Sequence, residues 1–171
     1  MLERTGVPTP EQLALCLPGP ERARRGAVAV FECFEKIPCD PCYEACSQGA
    51  VLPFTDINDL PQVDHDRCNG CGNCVQHCPG LAIFVVDCTW APGKALLKLP
   101  YELLPLPEAG EALSCYDREG KRVGEGTTVR VVRGRPFLGT PVVWVELELD
   151  RCGQVRHVRP REGGAGDGAA G

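Results

Sequence analysis

Eight cysteines between Cys33 and Cys78 carry the chemistry open to this chain. The densest run is C-N-G-C-G-N-C-V-Q-H-C-P, which sets Cys68, Cys71, Cys74 and Cys78 in a C-x2-C-x2-C-x3-C-P pattern. A shift of 32 residues lays Cys39, Cys42 and Cys46 on Cys71, Cys74 and Cys78, and Ala50 and Val51 on Ala82 and Ile83. The motif therefore occurs twice. In the first copy Lys36 stands where Cys68 would fall, and Cys33 lies three residues earlier, giving C-x5-C-x2-C-x3-C. Three cysteines at this spacing on a tightly turning chain point their sulfurs at three corners of one iron–sulfur cube, while a cysteine three residues on reaches a second cube. The spacing thus predicts two [4Fe-4S] clusters with crossed ligation. Cys33, Cys39, Cys42 and Cys78 are expected at cluster 1, and Cys68, Cys71, Cys74 and Cys46 at cluster 2. If Cys33 falls short, cluster 1 is held by three cysteines only. Gly70 and Gly72 let the loop wrap tightly and bring backbone N–H groups near the sulfurs, and Pro79 ends the run.

Other uses of the cysteines fit less well. Structural zinc favours two separated C-x2-C-type pairs, which the Cys68–Cys78 string does not resemble, so a zinc-bound interaction module is a weaker alternative. A disulfide scaffold needs an oxidising compartment. The N-terminus, with early Glu and Pro and no apolar stretch, does not read as a signal peptide. A cytoplasmic protein is expected. No apolar run approaches the roughly 20 residues of a membrane helix, so no membrane span is expected. Cys16, Cys88, Cys115 and Cys152 are scattered and read as small packing residues. His77 reads as a surface residue near the motif, His65 and His157 join no constellation, and Trp90 and Trp144 read as packing residues. Tyr43 either covers a cluster or belongs to the core. No Ser/His/Asp set, paired carboxylates or nucleotide fingerprint is visible; Gly124-Glu125-Gly126 lies between strands rather than before a helix. No catalytic residue is expected.

The elements that must position these cysteines are short. With 12 cysteines, 20 glycines and 16 prolines in 171 residues, and 6% aromatics, the chain has many turns and a modest apolar core. The expected fold class is α+β: a ferredoxin-like dicluster module of two short hairpin/helix repeats, followed by a small all-β barrel-like domain. Residues 1–26 read as an extended, proline-rich arm with a short helix at E-Q-L-A-L. Residues 27–90 form the cluster module, opened by the strand A-V-A-V-F-E and closed by L-A-I-F-V-V. Residues 91–160 form the β domain, with strands at A-L-L-K-L, A-L-S-C-Y, T-T-V-R-V-V and V-V-W-V-E-L-E-L, and a hairpin turn at Arg118-Glu119-Gly120. Residues 161–171 read as a disordered tail. Residues 1–90 hold six Lys/Arg against twelve Asp/Glu, and residues 91–171 twelve against eleven. That balance argues for two modules and against nucleic acid as a partner. The stretch from Arg118 to Arg135, with six Lys/Arg and two Asp/Glu, faces either solvent or an acidic partner.

At these residues the sequence resembles the two-[4Fe-4S] ferredoxin-type domain, over about residues 27–88. The strings F-E-C-F-E-K-I-P-C-D-P-C, C-P-G-L-A-I-F-V-V-D and K-L-P-Y-E-L-L-P-L-P resemble small iron–sulfur subunits found with FAD-dependent dehydrogenases of the sarcosine, proline and hydroxyproline type, over roughly residues 22–160. The resemblance implies an electron-relay subunit in a hetero-oligomer with FAD-dependent dehydrogenase chains that bind the substrate. It also favours Cys33 as a ligand, because the displaced cysteine belongs to that pattern. A free-standing ferredoxin serving several oxidoreductases is the alternative.

Overall fold

The computed structural model describes residues 2–134 and 139–161. The expected tail lies outside the described residues except for Arg161. The N-terminal arm is not extended as expected. It contains three short helices, α1 (Leu2–Thr5), α2 (Pro10–Cys16) and α3 (Pro20–Ala23). The prolines that suggested extension start helices instead: Pro10 and Pro20 occupy the first turn, where the missing N–H would have had no partner. Thr9 caps α2. Its hydroxyl accepts from the Gln12 N–H at 3.3 Å, and the Gln12 side chain accepts from the Thr9 N–H at 2.9 Å.

The remaining elements are β1 (Val28–Phe31), α4 (Pro41–Glu44), α5 (Asn73–His77), β2 (Ile83–Ala91), β3 (Lys94–Pro100), β4 (Ala112–Tyr116), β5 (Arg122–Val132), β6 (Val142–Glu148), a 3-10 turn (Leu149–Arg151) and β7 (His157–Pro160). Each β-rich run singled out in the sequence overlaps one of these strands, although Leu81 and Ala82 precede β2 and Leu149 falls in the 3-10 turn. All seven form a single antiparallel sheet in the order β1-β2-β3-β6-β5-β4-β7. Residues 91–160 are therefore no separate β domain: their strands continue the sheet that β1 and β2 begin. The expected division at residue 90 falls inside the β2–β3 hairpin. Ala91 pairs with Lys94, and Pro92-Gly93 makes the two-residue connection, with Gly93 at a φ of 73°. Proline followed by a left-handed glycine is strong turn chemistry, and here it reverses a strand rather than leading away from it.

The sheet curls. Val30 of β1 and Val158 of β7 stand at opposite ends of the strand order yet share one core with Leu97, Leu99, Leu113, Val143 and Val145. Its edges are also joined by charge. The Glu32 carboxylate, just past β1, accepts from Arg118 Nε at 2.8 Å and from Arg156 Nε, just before β7, at 3.0 Å. This trio is nearly enclosed, and the Arg156 guanidinium lies 3.9 Å from the Phe84 ring centroid. Burial pushes the Glu32 carboxyl up, but the two guanidinium groups outweigh it and hold its pKa below the ordinary carboxylate value. Close packing continues in β5, where a Cβ on Gly126 would stand 2.7 Å from Val145 Cγ1. That contact explains a glycine in mid-strand.

On the other side of β1 and β2, Ala29, Phe31, Ile83 and Val85 form a second core with Val51, Val75, Cys42 and Cys74. The period-2 alternation of β1 thus sends Val30 to the sheet core and its neighbours to the cysteine segment.

Candidate metal centre

The repeat seen in the sequence is a repeat in space. Helices α4 and α5 occupy matching positions 32 residues apart, and each ends in a turn of the same form. Gly49 N–H donates to the Cys46 carbonyl at 3.1 Å, and Leu81 N–H to the Cys78 carbonyl at 3.2 Å. Both turn residues are left-handed, with φ of 60° at Gly49 and 53° at Leu81. The next N–H in each copy reaches a sulfur: Ala50 donates to Cys46 Sγ at 3.3 Å and Ala82 to Cys78 Sγ at 3.4 Å. Cys68 Sγ accepts from both Gly70 and Ala29 N–H at 3.4 Å.

The eight cysteines line two separate cavities. One is bounded by Cys46, Cys68, Cys71 and Cys74, with Phe31, Val51 and Val63 as apolar walls. The other is bounded by Cys33, Cys39, Cys42 and Cys78, with Ile37, Pro61 and Ile83. Cys46 thus lies with the second copy of the motif and Cys78 with the first. Among the described residues, no three His, Cys, Asp or Glu side chains converge as they would on a single ion; the sulfurs surround a space instead.

Burial pushes the Cys74 thiol up to about 12, with Cys68, Cys71, Cys46 and then Cys42 of the other cavity adding to it. Burial also pushes Cys42 up to about 11, with Cys78, Cys39 and Cys33 adding to it. Cys33 and Cys39 are raised too, first by burial and then by Cys78. Thiols that resist ionisation in this way become thiolates when a cationic centre compensates the charge. Four sulfur donors, an apolar wall and backbone N–H groups aimed at sulfur fit a [4Fe-4S] cluster.

Several residues that shape the site were not singled out from the sequence. Arg22 in α3 donates to the carbonyls of Gly26 at 3.1 Å, Ala27 at 3.0 Å, His65 at 2.6 Å and Cys68 at 2.5 Å. It pins the N-terminal helices to the start of the Cys68 loop. Lys98 of β3, almost fully buried, donates to the Gly70 carbonyl at 2.6 Å and lies 4.1 Å from the centroid of Trp144. Gly70 has φ 65°, and a Cβ there would stand 2.5 Å from the Ala27 Cβ. No local pattern marks Arg22 or Lys98, because their partners are backbone carbonyls distant in sequence.

Of the other residues considered, Tyr43 is half-exposed and meets Phe54 edge-on at 6.3 Å. His77 is exposed, with Nδ1 2.8 Å from the Asn73 carbonyl. His157 stacks on Tyr101 at 6.1 Å. Trp90 donates to Glu146 at 2.7 Å, and Trp144 carries Lys98 and Arg130 on its faces. Cys115 is fully buried in the sheet core. Cys88 and Cys152, expected as unrelated packing residues, meet with their sulfurs 3.7 Å apart. The basic stretch after Arg118 is largely paired within the chain: Arg118 with Glu32, Lys121 with Glu119 and Arg122 with Glu125. Arg135 lies outside the described residues. Among the described residues, no helix is long and apolar enough to cross a membrane.

Comparison with known proteins bears on one part of this site. Residues 61–84 match the family described as "4Fe-4S binding domain". The chain is 39% identical over 54 residues to "Ferredoxin-type protein NapF" of Haemophilus influenzae, covering 30% of this chain and 31% of that protein. It is 38% identical over 47 residues to "Pyruvate synthase subunit PorD" of Methanocaldococcus jannaschii, covering 28% of this chain and 52% of that protein. "Protein Pixie" of Drosophila melanogaster is 28% identical over 109 residues, 56% of this chain and 17% of that protein. The chain thus spans about half or less of the length of these relatives. No solved structure matches it. The segment that carries Cys68–Cys78 thus matches a 4Fe-4S binding domain and is similar to part of a ferredoxin-type protein and of a pyruvate synthase subunit.

Proposed function

We propose that the chain holds two [4Fe-4S] clusters and serves as the electron-relay subunit of a multi-subunit flavin-dependent dehydrogenase. The observation that carries the two-cluster reading is the pair of cavities, each bounded by four cysteines, with Cys46 and Cys78 exchanged between the copies. In this reading Cys33, Cys39, Cys42 and Cys78 hold cluster 1, and Cys68, Cys71, Cys74 and Cys46 hold cluster 2. Each cluster supplies one-electron transfer, so a pair suits a two-electron donor such as a reduced flavin. The chain's own residues bind the clusters, donate N–H groups to the sulfurs and exclude water with apolar walls.

The subunit role rests on the resemblance to iron–sulfur subunits of FAD-dependent dehydrogenases and on exposed apolar side chains. Ile37 lines the Cys33 cavity and is 49% exposed, while Ile57, whose carbonyl accepts from Cys39 N–H, is also 49% exposed. Leu104, in the K-L-P-Y-E-L-L-P-L-P stretch of that resemblance, is 87% exposed. Covering these side chains with a partner chain would remove apolar surface from water.

Anaerobic purification from the native source tests both parts. About eight irons and as much acid-labile sulfide per chain are expected; about four would reduce the chain to one cluster, and a colourless zinc protein would overturn the reading. Co-elution with an FAD-containing chain on size exclusion supports the subunit role. Elution as a monomer carrying both clusters favours the free-standing ferredoxin instead.

A further inference from the structure

Cys88 of β2 and Cys152, just after the 3-10 turn, are separated by 64 residues in sequence, yet their sulfurs lie 3.7 Å apart. Neither lines a cluster cavity. We infer that Cys88 and Cys152 form a second redox site in this chain, a dithiol that low-molecular-weight disulfides convert to an internal disulfide without involving the cluster cysteines.

Three observations support this. The sulfurs are already in contact at 3.7 Å, and closing to a disulfide bond of about 2.05 Å brings them together from there. Both residues are half-exposed, whereas Cys115 is fully buried, and Cys16 has no sulfur contact with any of these three. The Cys152 backbone is also held in place, because its carbonyl accepts from Arg156 Nη1 at 3.2 Å, and Arg156 is anchored on Glu32. The pair is thus preorganised by a buried network rather than brought together by a free loop. Burial, and then the neighbouring Cys152 sulfur, push the Cys88 thiol up.

The chemistry balances as two exchanges. One of the two sulfurs attacks one sulfur of a disulfide R–S–S–R, a bond forms between them, and one RS⁻ leaves to be protonated by the released thiol proton. The other cysteine's sulfur then attacks the protein sulfur of the mixed disulfide, the second RS⁻ leaves, and it takes the second cysteine's proton. The two cysteines lose two electrons and two protons, and R–S–S–R becomes two RSH. The product joins β2 to the turn before β7, which are not neighbours in the strand order. It also braces the Arg156–Glu32 contact beside Cys33.

The test uses the cluster-loaded protein under argon. It is treated with glutathione disulfide, quenched with N-ethylmaleimide at low pH, digested and read by mass spectrometry. The expected result is a Cys88–Cys152 linked peptide pair, loss of two alkylatable thiols, thiol-state Cys16 and Cys115, and unchanged iron and sulfide. In Cys88→Ser the reaction should stop at glutathione on Cys152. Free thiols at both positions after treatment, or separate glutathione adducts in the wild type with no cross-link, would overturn the inference. Because the cross-link is read on peptides, it stands or falls independently of the number of clusters bound.

Discussion

Lys98 Nζ and the Gly70 carbonyl, 28 residues apart in sequence, are joined by a 2.6 Å hydrogen bond that carries a buried positive charge from the middle of the sheet into the C-x2-C-x2-C loop. Burial lowers the Lys98 pKa, and the nearby Cys71, Asp87 and Cys68 partly offset that. The β structure beyond residue 91 therefore does more than extend the fold. It supplies a cation beside Cys68 and Cys71.

That contact gives a first prediction. A fixed positive charge stabilises the more negative, reduced form of a nearby cluster. Replacing Lys98 with Met should therefore make the potential of the cluster in the Cys46/Cys68/Cys71/Cys74 cavity more negative, while Lys98→Arg should largely preserve it. Removing roughly 1 kcal/mol of attraction corresponds to about 40 mV for a one-electron couple. An EPR-monitored redox titration of the loaded variants reads this directly. Equal movement of both clusters would assign the change to altered packing instead.

The exchanged cysteines give a second. Cys46→Ser should disturb the cluster held by Cys68, Cys71 and Cys74, although Cys46 belongs in sequence to the other motif. Cys78→Ser should disturb the cluster of Cys33, Cys39 and Cys42. Iron content should fall by up to half in each, with the surviving EPR signal differing between the two. Loss of the same signal from both variants contradicts the crossed arrangement.

Gly70 is a third test point. An added Cβ would lie 2.5 Å from the Ala27 Cβ and 2.7 Å from the Ala27 carbonyl carbon, at a φ of 65°. Gly70→Ala should destabilise by roughly 2–4 kcal/mol through overpacking and left-handed strain. It should release iron first from the cavity that Cys68 and Cys71 line. Thermal melting and iron analysis on the same sample separate the two effects. Gly49→Ala, with open space around its Cβ position, meets only the conformational penalty.

The charged clasp between sheet edges gives the fourth. Removing one partner of a nearly buried ion pair leaves the others uncompensated, at about 3–5 kcal/mol. Glu32→Gln should therefore lower thermal stability far more than Lys121→Gln, whose partner Glu119 is exposed. Burial, partly offset by Glu32, lowers Arg156 to about 10, so loss of the Glu32 charge leaves Arg156 where a charge is least tolerated. The double variant Glu32→Gln/Arg156→Met should recover part of the loss, as a melting curve would show.

Sequence and structure contributed different things. The cysteine spacing groups Cys46 with Cys68, Cys71 and Cys74, and these four side chains line one cavity; whether they hold a cluster is what iron analysis of the variants tests. The β-rich runs were also legible, because β-branched and alternating residues leave a local record. What spacing and alternation could not disclose was who meets whom across long separations. The module boundary read at residue 90 did not survive, because strand pairing makes Pro92-Gly93 a hairpin within one sheet. Leu81 carries no mark of its left-handed backbone except its place opposite Gly49 in the repeat. Arg22, Lys98, Glu32 and the Cys88–Cys152 pair are ordinary residues in sequence. Their roles come from backbone carbonyls, guanidinium groups and a sulfur brought near by the curl of the sheet. Ligand spacing is a short-range property of the chain and is written locally, whereas the charges and contacts that tune a site depend on tertiary packing.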